Sequence, residues 1–139
     1  MALPQAGAPR SAERRQVTAL FCDLVDSVSL TVRLGAEDMM QVVDVYLSAC
    51  DDIVTSFGGT ITQYMGDGVL AYFGYPRANE DDAANAVRAG LALREAVGKL
   101  ALHPGLILQI RIGIATGQVV VSDLLGRSRV APGQLPSKR

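Results

Sequence analysis

Apolar positions in residues 15–24, RQVTALFCDL, fall on both parities, which predicts a strand covered on both faces with Asp23 at its C-terminal end. Asp26 and Ser27 are N-cap residue types, so a short helix is predicted from there to Gly35, a residue suited to a left-handed stop. In AEDMMQVVDVYLSACDDIVTSFGG, Met39, Val43, Tyr46, Leu47, Cys50, Ile53, Val54 and Phe57 recur at spacings of three and four. That pattern predicts an amphipathic helix of about 20 residues, closed by Gly58-Gly59. Two apolar-rich runs, Thr60–Met65 and Val69–Phe73, then flank Gly66-Asp67-Gly68. An Asp-Gly pair between such runs predicts a tight hairpin with positive φ at both central residues. Pro76 breaks the pattern, Asn79 is expected to cap the next helix, and Glu80, Asp81 and Asp82 place negative charge at the positive end of its dipole. The helix body, through Val87, Leu91, Val97 and Leu100, is Ala-rich and suited to close packing on a sheet. His103-Pro104-Gly105 ends it, with His103 read as solvated. The last strand, LILQIRIGIATGQVVV, alternates Ile110, Ile112 and Ile114, and Gly117 is expected to bend or bulge it.

The order strand, helix, helix, strand, strand, helix, strand predicts an α+β fold, a ferredoxin-like βααββαβ sandwich with a mainly antiparallel sheet and helices on one face. The expected organisation is a disordered tail over 1–12, one domain over 13–126 and a disordered basic tail over 127–139, where Arg127, Arg129, Lys138 and Arg139 occur without acids. With 49% apolar residues, 19% charged residues and a net charge of -1, the chain is an ordinary globular one with no electrostatic footprint for nucleic acid or an anionic membrane. No apolar run approaches the roughly 18 residues of a membrane span, and no signal peptide opens the chain, so a cytoplasmic setting is expected. In that setting Cys22 and Cys50, each inside an apolar pattern, read as buried thiols.

The candidate chemistry lies in Asp23 and Asp67. Each alone has an ordinary explanation, the first as a helix cap and the second as a turn residue. The predicted topology places the first strand between the hairpin and the last strand, so that the end of strand one and the hairpin turn meet at one edge of the sheet. Two carboxylates held together are costly unless a cation neutralises them, and hard divalent ions prefer oxygen ligands. Beside a helix N-terminus, which attracts anions, such a pair suits a nucleoside triphosphate carried with Mg²⁺.

Five segments carry a family resemblance: FCDLVDS (21–27), the long helix that follows, QYMGDGVLAYFG (63–74), NEDDAANAVRAGLAL (79–93) and IRIGIATGQVVVSDLLG (110–126). Together they resemble the class III adenylate/guanylate cyclase catalytic domain of bacterial type. The resemblance implies a dimeric enzyme that converts a nucleoside triphosphate to a 3′,5′-cyclic nucleotide and pyrophosphate. Asp23 and Asp67 match the aspartates that hold two Mg²⁺ or Mn²⁺ ions, and the backbone carbonyl of Leu24 matches a further metal ligand. The amides of Leu24, Val25, Asp26 and Ser27 match the cradle for the terminal phosphates. Gln63 occupies the base-specifying position, where adenylate cyclases usually carry Lys and guanylate cyclases Glu. An amide both donates and accepts, so discrimination between purines is expected to be weaker, with ATP the implied substrate. The family's ribose-orienting Asn and transition-state Arg match no residue here, so no catalytic residue is assigned beyond the metal ligands. The expectation is a chain nearly inactive alone, acting as a homodimer or as a heterodimer with a longer cyclase chain. A non-catalytic metal- and nucleotide-binding or dimerisation module is the alternative.

Overall fold

The computed structural model describes residues 13–122 and 129–130. Its elements are β1 (Glu13–Leu24), α1 (Ser27–Leu34), α2 (Ala36–Ser56), β2 (Thr60–Met65), β3 (Gly68–Phe73), α3 (Asp82–Gly98), β4 (Ile110–Ser122) and β5 (Arg129–Val130). The sheet order is β2-β3-β1-β4-β5, and every described pairing is antiparallel. The predicted βααββαβ sandwich is therefore the observed one, with β1 at the centre. Arg129–Val130, expected in a structureless tail, instead pair with Val121 and Ser122 at the sheet edge. The rest of the expected tails, 1–12 and 127–139 apart from that pair, and the expected domain end at 123–126 lie outside the described residues.

Even-numbered β1 residues Leu20, Cys22 and Leu24 join Met39, Val42, Tyr46, Cys50 and Val54 of α2 and Ala86, Ala89, Leu93 and Val97 of α3 in one core. Alternation along the strand turns Val17 and Ala19 to the other face, where they meet Tyr72 and Val119 in a smaller cluster without helix residues. The helices thus lie on one face, as predicted. Their rotation differs from the expected faces. Val42 is buried where Val43 was expected to lead, and Val87 and Leu91 are 48% and 61% exposed. Small residues form the buried stripe of α3, which brings its backbone close to β4. A Cβ added at Gly90 would lie 3.4 Å from Ile114 and 3.6 Å from Ile112.

Several boundaries also differ. Gly35 ends α1 at φ 88 and ψ 158, a positive-φ conformation outside the left-handed helical region and essentially reserved for glycine. Asn79 does not cap α3. The helix starts at Asp82, whose Oδ2 accepts the Asn79 N–H at 2.7 Å, so the carboxylate reaches back over the turn. Lys99 follows its last residue, which leaves Leu100 outside the helix. Gly117 makes no bulge, because the β1–β4 ladder runs unbroken from Glu13↔Val121 to Leu24↔Ile110. The irregularity falls in β2 instead, between Ile61 and Gln63. His103 is exposed, as expected, with its Nε2 4.0 Å from Asp38 Oδ2.

Candidate active site

The hairpin turn contains two residues, Gly66 and Asp67, because Met65 pairs with Gly68. Gly66 takes φ 63, whereas Asp26 is the one described non-glycine residue with positive φ. The predicted turn with positive φ at both central positions is therefore corrected to one with glycine first, the arrangement whose second position takes any residue. Gly68 is required for another reason: a Cβ there would meet Phe21 Cζ at 3.0 Å and the Met65 carbonyl oxygen at 3.1 Å. Both glycines are thus explained by the backbone. Asp67 is not, and its half-buried carboxylate has no structural duty in forming the turn.

β1 ends with Asp23 and Leu24 beside this turn. The β1–β3 register includes Cys22↔Val69, and extending it by two positions sets Asp67 opposite Leu24. Both carboxylates act on the buried Cys22 thiol. The hydrogen bond with Cys50 draws its pKa down, while burial and the charges of Asp23 and Asp67 push it up. The Cys22 sulfur also lies 3.2 Å from the Tyr46 hydroxyl, and both cysteines are free and buried, as predicted. Burial raises the Tyr46 pKa far above the ordinary phenol range. The hydrogen bond with Cys22, together with burial, does the same for Cys50.

Asp23 is 7% exposed and lies across the ladder from Arg111 of β4, which donates from Nε to Asp23 Oδ1 at 3.2 Å. Sequence reasoning missed Arg111. Its segment was recognised, yet only the strand register reveals which of its residues faces the aspartate. The donor set at this rim, two carboxylates and the carbonyl at the end of β1, is all hard oxygen and fits a divalent ion. Among the described residues no cluster of three or more His, Cys, Asp or Glu side chains forms a self-sufficient metal cage. Such a site would need further oxygens from substrate or water.

The turn after β1 differs in part from expectation. Asp26 stands at the N-cap of α1 with φ 57 and ψ 40, and its side chain makes no capping bond. The Val25 N–H donates to the Gln109 carbonyl at 2.9 Å, so one of the four amides expected to cradle phosphate is already engaged. Asp67 borders an open groove of about 410 Å³ with Ser27, Val28, Thr31, Met39 and Met40. Gln63 lines a different cavity, of about 450 Å³, with Thr60, Tyr72 and Tyr75. These two cavities share no lining residue, so the structure does not bring Gln63 together with the aspartate turn within one cavity. No described helix is long and apolar enough to cross a membrane.

Comparison with known proteins identifies the family of the fold. The family described as Adenylate and Guanylate cyclase catalytic domain matches residues 10–131. Adenylate cyclase 1 of Rhizobium meliloti is 31% identical over 125 residues, covering 87% of this chain and 19% of that protein. Among solved structures, the guanylyl cyclase Cya2 superposes with a TM-score of 0.77 at 35% identity, over 89% of this chain and 67% of that one. The adenylyl cyclase CyaB from P. aeruginosa gives 0.74 at 30% identity, over 86% and 66%. This chain therefore spans about a fifth of the length of the Rhizobium relative and belongs to the adenylate and guanylate cyclase catalytic domain family.

Proposed function

We propose that this chain supplies the metal-bearing half of a nucleotidyl cyclase site that forms a 3′,5′-cyclic nucleotide and pyrophosphate from a nucleoside triphosphate, with ATP the preferred substrate. The observation that carries the reading is the shared rim of Asp23 and Asp67, with an aspartate at a turn position whose backbone asks for none. Asp23, Asp67 and the Leu24 carbonyl hold Mg²⁺ or Mn²⁺ there, a pair of ions per site. When bound, the ions supply Lewis-acid activation of the ribose hydroxyl and neutralise charge on the phosphates. The chain's own part is to fix those oxygens at the end of a buried central strand and to offer the α1 N-terminus, through the amides of Asp26 and Ser27, to the terminal phosphates. Gln63 reads the base with an amide that donates and accepts. Its position in a separate cavity supports a site completed by a second chain, a copy of this one or a longer cyclase, across a dimer interface.

A second reading, a module that binds metal and nucleotide without turnover, draws support from the engaged Val25 amide. One experiment separates the two. The chain is mixed with a longer cyclase whose own metal aspartates are changed to Asn, and cyclic AMP is measured with Mn²⁺ and ATP. Cyclic AMP is expected from the mixture and not from either component, and the Asp23→Asn or Asp67→Asn form of this chain is expected to abolish it. Silence from the mixture, with both chains folded and associated, overturns the catalytic reading.

A further inference from the structure

We propose that Arg111 is a positioning residue that pairs with Asp23 in the metal-free protein and competes with the divalent ion for its carboxylate. The inference rests on the metal reading of Asp23. A carboxylate that is 7% exposed demands a partner, because burying an unpaired charge is strongly unfavourable. The ladder provides it. Asp23 and Arg111 are direct cross-strand partners in the β1–β4 register, and the guanidinium donates from Nε to Oδ1 at 3.2 Å. The contact is therefore set by strand pairing, with the two side chains leaving the same face of the sheet.

The two partners are unequal. The Asp23 side chain is 10% exposed and that of Arg111 is 65% exposed. The carboxylate is held in place while the guanidinium, on a long stem at the surface, swings into water at little cost. A divalent ion on Asp23 competes for the same carboxylate and repels the adjacent positive charge. Arg111 thus keeps Asp23 oriented in the metal-free protein and lowers its affinity for the ion. A residue that merely supported the fold would act in the opposite direction, since its loss would loosen the ligand and weaken binding.

The sign of that effect is the test. Free Mn²⁺ is titrated by electron paramagnetic resonance on the full chain, on Arg111→Gln, and on each background carrying Asp23→Asn. Arg111→Gln is expected to bind Mn²⁺ roughly 1.5- to fivefold more tightly, a range set by the worth of a partly exposed ion pair, with the difference shrinking as salt rises. Asp23→Asn is expected to remove tight binding in both backgrounds. Unchanged or weaker binding by a folded Arg111→Gln overturns the proposal and leaves the metal reading standing. A native chain that binds no Mn²⁺ overturns both. If Arg111→Gln does not fold, the Arg111 Nε–H resonance of the native chain decides the matter. It is expected to shift and lose its protection from exchange when Mg²⁺ is added, and an unmoved signal at saturating Mg²⁺ overturns the proposal.

Discussion

Changing Asp67 to Asn separates a turn residue from a metal ligand. Asp67 occupies the second position of a two-residue turn that begins with Gly66 at φ 63, and no described hydrogen bond of the turn depends on its carboxylate charge. Asn is nearly isosteric and tolerates the same conformation, so in the absence of ligand the substitution is expected to change stability by no more than about 0.5 kcal/mol. Ligand binding responds differently. For the native chain, Mn²⁺ with ATP at about 100 times the dissociation constant adds about 2.7 kcal/mol to the folded state. With an unfolding entropy of about 2.1 cal/mol/K per residue over the roughly 110 described residues, that corresponds to an increase in Tm of about 12 °C. Asp67→Asn is expected to lose most of this increase while its ligand-free Tm stays within about 2 °C of the native value. The assay is a thermal melt of both proteins with and without Mn²⁺ and ATP. A variant that melts much lower on its own yet keeps the full ligand shift would refute the reasoning and return Asp67 to the turn.

Two further outcomes test the packing. Gly59→Ala places a Cβ 2.6 Å from the Phe73 ring, which is buried and has no room to move, so a loss of about 1–3 kcal/mol is expected in urea unfolding; unchanged stability would show that the α2–β2 corner relaxes. The Tyr46 phenol, whose pKa burial raises from 10.0, stays protonated in the folded state when the unfolded chain ionises, so stability is complete below pH 10 and declines above it by about 1.4 kcal/mol per pH unit. Cys50 adds a decline of the same sign from pH 9. Tyr46→Phe is expected to flatten the decline between pH 10 and 11 by about one such slope, while losing about 1 kcal/mol at neutral pH with the Cys22 hydrogen bond. A slope identical to that of the native chain removes Tyr46 from this account.

Periodicity and punctuation within single segments carried the order of elements, the hairpin and the two aspartates, because each is a local property of ten to twenty neighbouring residues, and the central place of β1 followed from the fold type that this order implies. Helix rotation was less legible. Val87 and Leu91 read as core on hydrophobicity, yet α3 approaches the sheet most closely through Ala86, Ala89 and Gly90, and only the opposing Ile112 and Ile114 make that stripe the better fit. The turn was misread in kind because Asp67-Gly68 is the stronger local signal, whereas the ladder pairs Met65 with Gly68 and moves the turn back by one residue. Arg111 shows the limit most clearly. Nothing in its own segment links it to Asp23, 88 positions earlier, and strand register across the sheet makes them partners. The sequence by itself determined what each segment becomes and which residues are candidates for the chemistry. Tertiary structure alone decided which of them meet, since register and helix rotation arise from contacts between segments that no local pattern encodes.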